Sequence, residues 1–140
     1  MHSWLLWSLL SALFAGATAI LAKIGVANID SNLATAIRTS VIVVFTWGIA
    51  LATRQAGWLA GVSRRTLLFL VLSGIATGLS WLCYFRALQL GPASRVAPID
   101  KLSVVFVIVF AAMFLGEKLT GMKFAGGLLI VLGAVILAWE

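Results

Sequence analysis

The amino-acid sequence predicts an all-α polytopic membrane protein with five transmembrane helices, and three observations lead there. Of the 140 residues, 63% are hydrophobic and only 10% charged, whereas a soluble domain carries roughly 25% charged residues. The mean hydropathy is +1.15, so the chain has too few polar groups to cover its apolar surface in water. The apolar runs are long and continuous rather than alternating, which fits helices and excludes a barrel. The lipid bilayer is the solvent this composition suits, and there a helix satisfies its own backbone.

A helix crosses the hydrocarbon core with about 20 mostly apolar residues, and five segments reach that length. The first is 4–27, with Lys23 near its end. Its apolar run has no basic residue before it and exceeds the roughly 7–15 residues of a signal h-region, so it is predicted to stay as a span. The second is 33–53, with Arg38 near its start; the polar turn 28–32 offers Asn28, Ser31 and Asn32 as caps. The third, 67–90, carries Arg86 near its end and follows the longest loop, 54–66, where Gly57, Gly61 and Ser63 break the pattern. Gly91 and Pro92 predict a helix stop and an N1 proline for the fourth span, 93–115, which contains Pro98, Asp100 and Lys101. Thr120 is placed to cap the fifth, 120–139. No linker or low-complexity tract interrupts the chain, so residues 1–140 are predicted to form one transmembrane domain.

The formal net charge of +6 does not point to nucleic acid, because Lys and Arg lie between or inside apolar runs rather than on one exposed patch. They read instead as a basic bias of cytoplasmic loops plus a few intramembrane cations. Cys83 is the only cysteine and His2 the only histidine, so neither a disulfide nor a Cys/His metal site can be assembled within the chain. With no nucleophile–base constellation or phosphate loop either, the sequence predicts no enzyme, no metal and no cofactor. Loop charge sets orientation. Arg54, Arg64, Arg65, Lys118 and Lys123 fall on one side, against Arg95 in the loops of the other. This predicts a multi-pass protein of the cell (inner or plasma) membrane, N-terminus cytoplasmic and C-terminus outside. Lys23, Arg38, Arg86 and Lys101 all lie toward the outer helix ends, however, and counting them makes the two sides equal.

Those same cations, with Asp100, are the candidate functional residues. An ionisable group at a helix centre costs at least roughly 2.5–3.5 kcal/mol, so each needs a reason to be there. Four spans carry one at similar depth, and a bundle would gather them into a polar layer lining a cavity. The alternative is that the long cations snorkel to the interface and Asp100 neutralises one of them. Asp100 is too short to snorkel, and because chain neighbours on a helix face apart, Arg38 and Arg86 are its expected partners. Pro98 removes a backbone donor inside the fourth span and predicts a kink, as in cavity-lining transporter helices, unless the helix simply starts later. Trp4, Trp7, Trp58 and Trp139 read as interfacial belt residues, while the deeper Trp47, Trp81 and Tyr84 suit either stacking on a substrate or a cation, or plain packing. Gly74 and Gly78 permit close helix approach on the third span. Gly126, Gly127, Gly133 and Ala134 on the fifth suit a dimer contact or a contact within the chain.

The stretch Arg86-Ala87-Leu88-Gln89-Leu90-Gly91-Pro92-Ala93-Ser94, then Val96-Ala97-Pro98, then Phe114-Leu115-Gly116-Glu117-Lys118-Leu119, then Gly126 to Gly133, resembles an EamA-type repeat of the drug/metabolite transporter superfamily. Lys23 and Arg38 match the repeat as well. Most members fuse two such five-helix repeats, and this chain resembles the short, single-repeat ones. The resemblance implies a secondary transporter, in the export direction, working as a homodimer by alternating access. It also implies an antiparallel dimer, with a small-molecule substrate held between inverted halves. Lys23, Arg38, Trp47, Trp81, Tyr84, Arg86, Pro98, Asp100 and Lys101 are then the candidate substrate contacts. Unlike the small multidrug exporters of the superfamily, the first span has no acid, and the polar layer holds four cations against one carboxylate. That balance favours a polar, anionic or zwitterionic metabolite over a lipophilic cation. A non-transporting membrane subunit, or half of a heteromeric transporter or lipid-carrier flippase, is the alternative.

Overall fold

The computed structural model describes residues 3–53 and 61–139. Arg54, Gly57 and the belt residue Trp58, together with His2 and Glu140, lie outside the described residues. The described residues form α1 (Ser3–Gly25), α2 (Ser31–Ala52), α3 (Arg64–Leu90), α4 (Ala93–Asp100), α5 (Ser103–Phe114) and α6 (Gly121–Trp139). Counting α4 and α5 as one, five segments are long and apolar enough to cross a membrane. The protein is all-helical and multi-pass.

Helix ends follow from short polar side chains. The N-cap of α2 is Asp30, whose Oδ1 accepts from the backbone N–H of Asn32 (2.9 Å) and Leu33 (3.0 Å); the expected caps Asn28, Ser31 and Asn32 do not take that place. The carboxylate also complements the positive end of the helix dipole. Ser63 does more than break the loop, because its Oγ accepts from Thr66 N–H at 3.1 Å at the start of α3. Pro92 is the N-cap of α4 with extended backbone, not its first helical residue. Thr120 Oγ1 accepts from Lys123 N–H at 3.3 Å, as expected for the start of α6. Gly116 turns the chain out of α5 with φ +67°, and Glu117 N–H reaches back to the Ala111 carbonyl at 3.2 Å. Only glycine adopts that left-handed conformation without a steric cost.

The fourth span is not the single helix expected. It starts at Ala93, so the later start allowed by Pro98 does not occur, and it breaks at Lys101-Leu102. Pro98 cannot donate to the Ser94 carbonyl. The turn beyond it tightens into three-residue hydrogen bonds, from Leu102 N–H to Ile99 O, Val104 N–H to Lys101 O and Val105 N–H to Leu102 O, at 2.9–3.0 Å.

The chain divides into two units, one of Ile24–Gln89 and one of the residues up to Lys23 and from Leu90 on. In the first, Val26, Ala34, Phe85 and Leu88 are buried with Ser31 and Thr35. The Thr35 and Thr39 hydroxyls donate to Ser31 O (2.8 Å) and Thr35 O (2.7 Å), which satisfies them inside an apolar layer. In the second unit, α6 packs on α4 and α5, Gly127 lies against Ile108, and Ala19, Ala22 and Ala134 are buried. Small residues let helices approach closely where lipid removes the hydrophobic drive to associate. Elsewhere the helices turn large apolar side chains outward, as with Val44 (73% exposed) and Ile136 (70%), a surface that lipid rather than water would cover.

Candidate functional site

In the Ile24–Gln89 unit, Arg38 on α2 faces Trp81 and Phe85 on α3. Its Cζ lies 4.3 Å from the Trp81 ring centroid and 5.4 Å from that of Phe85. Trp81 and Phe85 are four residues apart and so share one face of α3, which is why one guanidinium meets both rings. Tyr84 packs edge-on to Phe85, with centroids 6.5 Å apart and planes at 66°. Among the described residues of this unit, no carboxylate or carbonyl hydrogen-bonds the Arg38 guanidinium. The aromatic faces hold the cation, an attraction of about 2 kcal/mol when desolvated. Trp81 was expected either to stack on a cation or simply to pack; it does the former, and the cation is the protein's own.

Arg86, one turn further along α3, is exposed and donates through Nη1 to Gln89 Oε1 at 3.0 Å. Gln89 in turn donates through Nε2 to the carbonyls of Ile29 (2.7 Å) and Val26 (3.4 Å). Sequence reasoning missed Gln89. The available signal was a lone amide in the last turn of an otherwise apolar helix. Such a group must be satisfied, and the α1–α2 turn supplies the acceptors. Trp47 on α2 is about half exposed.

In the other unit, Lys23 sends its ammonium to the Gly91 carbonyl at 2.9 Å. Gly91 directly follows the last residue of α3, where free carbonyls and the helix dipole both favour a cation. Lys23 thus ties the end of α1 to the turn after α3. Asp100 pairs through Oδ2 with Lys101 Nζ at 3.2 Å, which corrects the expectation of a partner on another helix. The facing-apart argument assumed an unbroken helix, whereas α4 ends at Asp100 and Lys101 stands in the break. The pair is partly open, with side chains 35% and 56% exposed, and Pro98 is half-buried two residues before it. On α6, Gly127 and Ala134 are buried, Gly133 is half-buried and Gly126 is exposed, so among these positions the 126/133 side is the one left open.

The EamA-like transporter family model matches residues 2–139. A protein of Sinorhizobium sp named "Uncharacterized transporter in cobO 3'region" is 55% identical over 137 residues, covering 98% of this chain and 97% of its own. The pseudopaline exporter CntI of Pseudomonas aeruginosa is 35% identical over 89 residues, 64% of this chain but only 31% of that protein. A Yersinia pseudotuberculosis protein named "Probable 4-amino-4-deoxy-L-arabinose-phosphoundecaprenol flippase subunit ArnE" is 32% identical over 75 residues, 54% of this chain and 66% of its own. No solved structure gives a significant match.

Proposed function

This chain belongs to the EamA-like transporter family, and from that premise we propose that it is a secondary transporter exporting a small polar, anionic or zwitterionic metabolite. The observation that carries the substrate class is Arg38. A guanidinium is laid on the Trp81 ring, inside a segment apolar enough to span the membrane. A fixed planar fork of N–H groups matches a carboxylate or phosphate. Tyr84 completes the aromatic wall, Trp47 contributes ring surface, and Lys23 and Arg86 act by holding turns. The Asp100–Lys101 pair sits at the break in the fourth span, where the backbone is free to rearrange as access alternates. Residues 1–140 act as one five-helix domain, and two copies complete the path, joined along the Gly126 and Gly133 side of α6. Reconstituted alone in proteoliposomes preloaded with isotope-labelled amino acids and dicarboxylates, the chain is expected to exchange at least one of them. Asp100→Asn should lower that exchange at least tenfold. No exchange of any compound in the panel by the chain alone would sink the self-sufficient reading.

The likeness to a relative named as a flippase subunit favours a second reading, half of a heteromeric transporter, in which exchange returns only when a partner subunit is added.

The two copies are proposed to be inverted, since the intramembrane cations cancel the loop bias. In a Cys83→Ala background, single cysteines at the exposed turn residues Asn28 and Val62 test this with a membrane-impermeant maleimide on intact cells. Partial labelling at both sites is expected. Labelling at Asn28 alone means one orientation, with the N-terminus cytoplasmic, and rejects the inverted pair.

A further inference from the structure

Between α5 and α6 runs an apolar cleft of about 190 Å³, walled by Val105, Ile108, Val109, Leu128 and Val131, with Lys123 at one end. Lys123 lies in the first turn of α6 and ion-pairs with Glu117 in the preceding turn, Nζ to Oε2 2.9 Å. The cleft therefore has a charged end near the membrane surface and an apolar body leading inward. From Lys123 to Val131 the helix rises about 12 Å, most of the roughly 15 Å from the surface of the hydrocarbon core to its midplane. Its floor is kept low by Gly127, which has Ile108 as its neighbour and no side chain of its own.

We infer that this cleft seats one acyl chain of an anionic phospholipid, with the lipid phosphate held by Lys123. Two observations select this occupant. A volume of about 190 Å³ beside this stretch of helix suits one unbranched alkyl chain and not a second helix about 10 Å across. Along the turn and helix start that supply Leu119 and Lys123 to the cleft, residues 116–123, the charge is net positive, with Lys118 and Lys123 against Glu117 alone, and each Lys near an anionic headgroup contributes about 1 kcal/mol. The inference stands apart from the transport reading, since it uses none of the Arg38 residues and needs no flux.

Native mass spectrometry of the detergent-purified full chain with dioleoylphosphatidylglycerol and dioleoylphosphatidylcholine tests it. Phosphatidylglycerol should be retained about fivefold more strongly, and Lys123→Gln should remove that preference, the fold-change expected for one lysine. Glu117→Gln should raise it, because the carboxylate no longer competes for Lys123. Val105→Trp should fill the cleft and abolish retention of both lipids. Lys123 is exposed and Lys123→Gln is expected to fold, so that arm decides the matter even if Val105→Trp fails to fold. Equal retention by wild type, Lys123→Gln and Glu117→Gln overturns the proposal. So does full lipid retention by folded Val105→Trp, or a Val105→Trp protein that changes from dimer to monomer, which would assign the cleft to a second copy.

Discussion

Arg38→Ala is expected to abolish exchange, by about a hundredfold or more, while the protein still inserts, purifies and stays helical. The magnitude follows from losing two charge-assisted hydrogen bonds to a bound oxyanion at about 1.5–3 kcal/mol each. The fold survives because the contacts that hold Arg38 are to the rings of Trp81 and Phe85, and those rings can repack once the cation is gone. Arg38→Lys should not rescue the activity, since an ammonium neither stacks as a plane nor offers two parallel donors. Trp81→Leu should weaken exchange about five- to thirtyfold, the cation–π range for a site shielded from water. The double variant should be no worse than Arg38→Ala, because both changes act on one unit. Unaltered exchange in Arg38→Ala would refute the placement of the substrate.

Lys23→Met should do the opposite, costing stability rather than substrate affinity. The methionine keeps much of the length of the side chain but leaves the Gly91 carbonyl without the 2.9 Å donor it now has. A hydrogen bond from a charged group contributes about 1.5–3 kcal/mol, and the part-buried Gly91 carbonyl would lose this donor. The unfolding midpoint in an SDS titration should fall accordingly, with the apparent substrate affinity of the surviving folded protein unchanged. A normal midpoint with a tenfold loss of affinity would return Lys23 to the substrate site.

The sequence made the spans legible because hydropathy accumulates over whole helices, and no single contact can override it. Arg38 and Trp81 were legible for a related reason: a cation and a deep aromatic inside apolar runs are anomalies wherever the chain folds. What those anomalies touch was not legible. Lys23 meets a carbonyl 68 positions away, and every residue carries a carbonyl, so nothing marks Gly91 as the acceptor. Gln89 was overlooked for the same reason, as its acceptors are backbone atoms of Val26 and Ile29. Asp100 was assigned the wrong class of partner because helical facing rules were applied across a break. Pro98 announced a disturbance, but the helix runs two residues past the proline, to Asp100, and only then opens. Asp30 took the cap over Asn28, Ser31 and Asn32, a choice among neighbours that composition does not rank.

The divided fourth span also bears on how the protein is made. At about 12 Å and 18 Å, neither α4 nor α5 crosses the hydrocarbon layer alone. α4 emerges from the ribosome first, carrying Arg95 and Asp100 and followed at once by Lys101, while α5 contains no charged residue at all. The insertion machinery therefore meets the hard half before the half that partitions readily. The entry of α4 is secured only when the apolar side chains of α5 follow it, and one added charge in α5 would leave both halves at the surface.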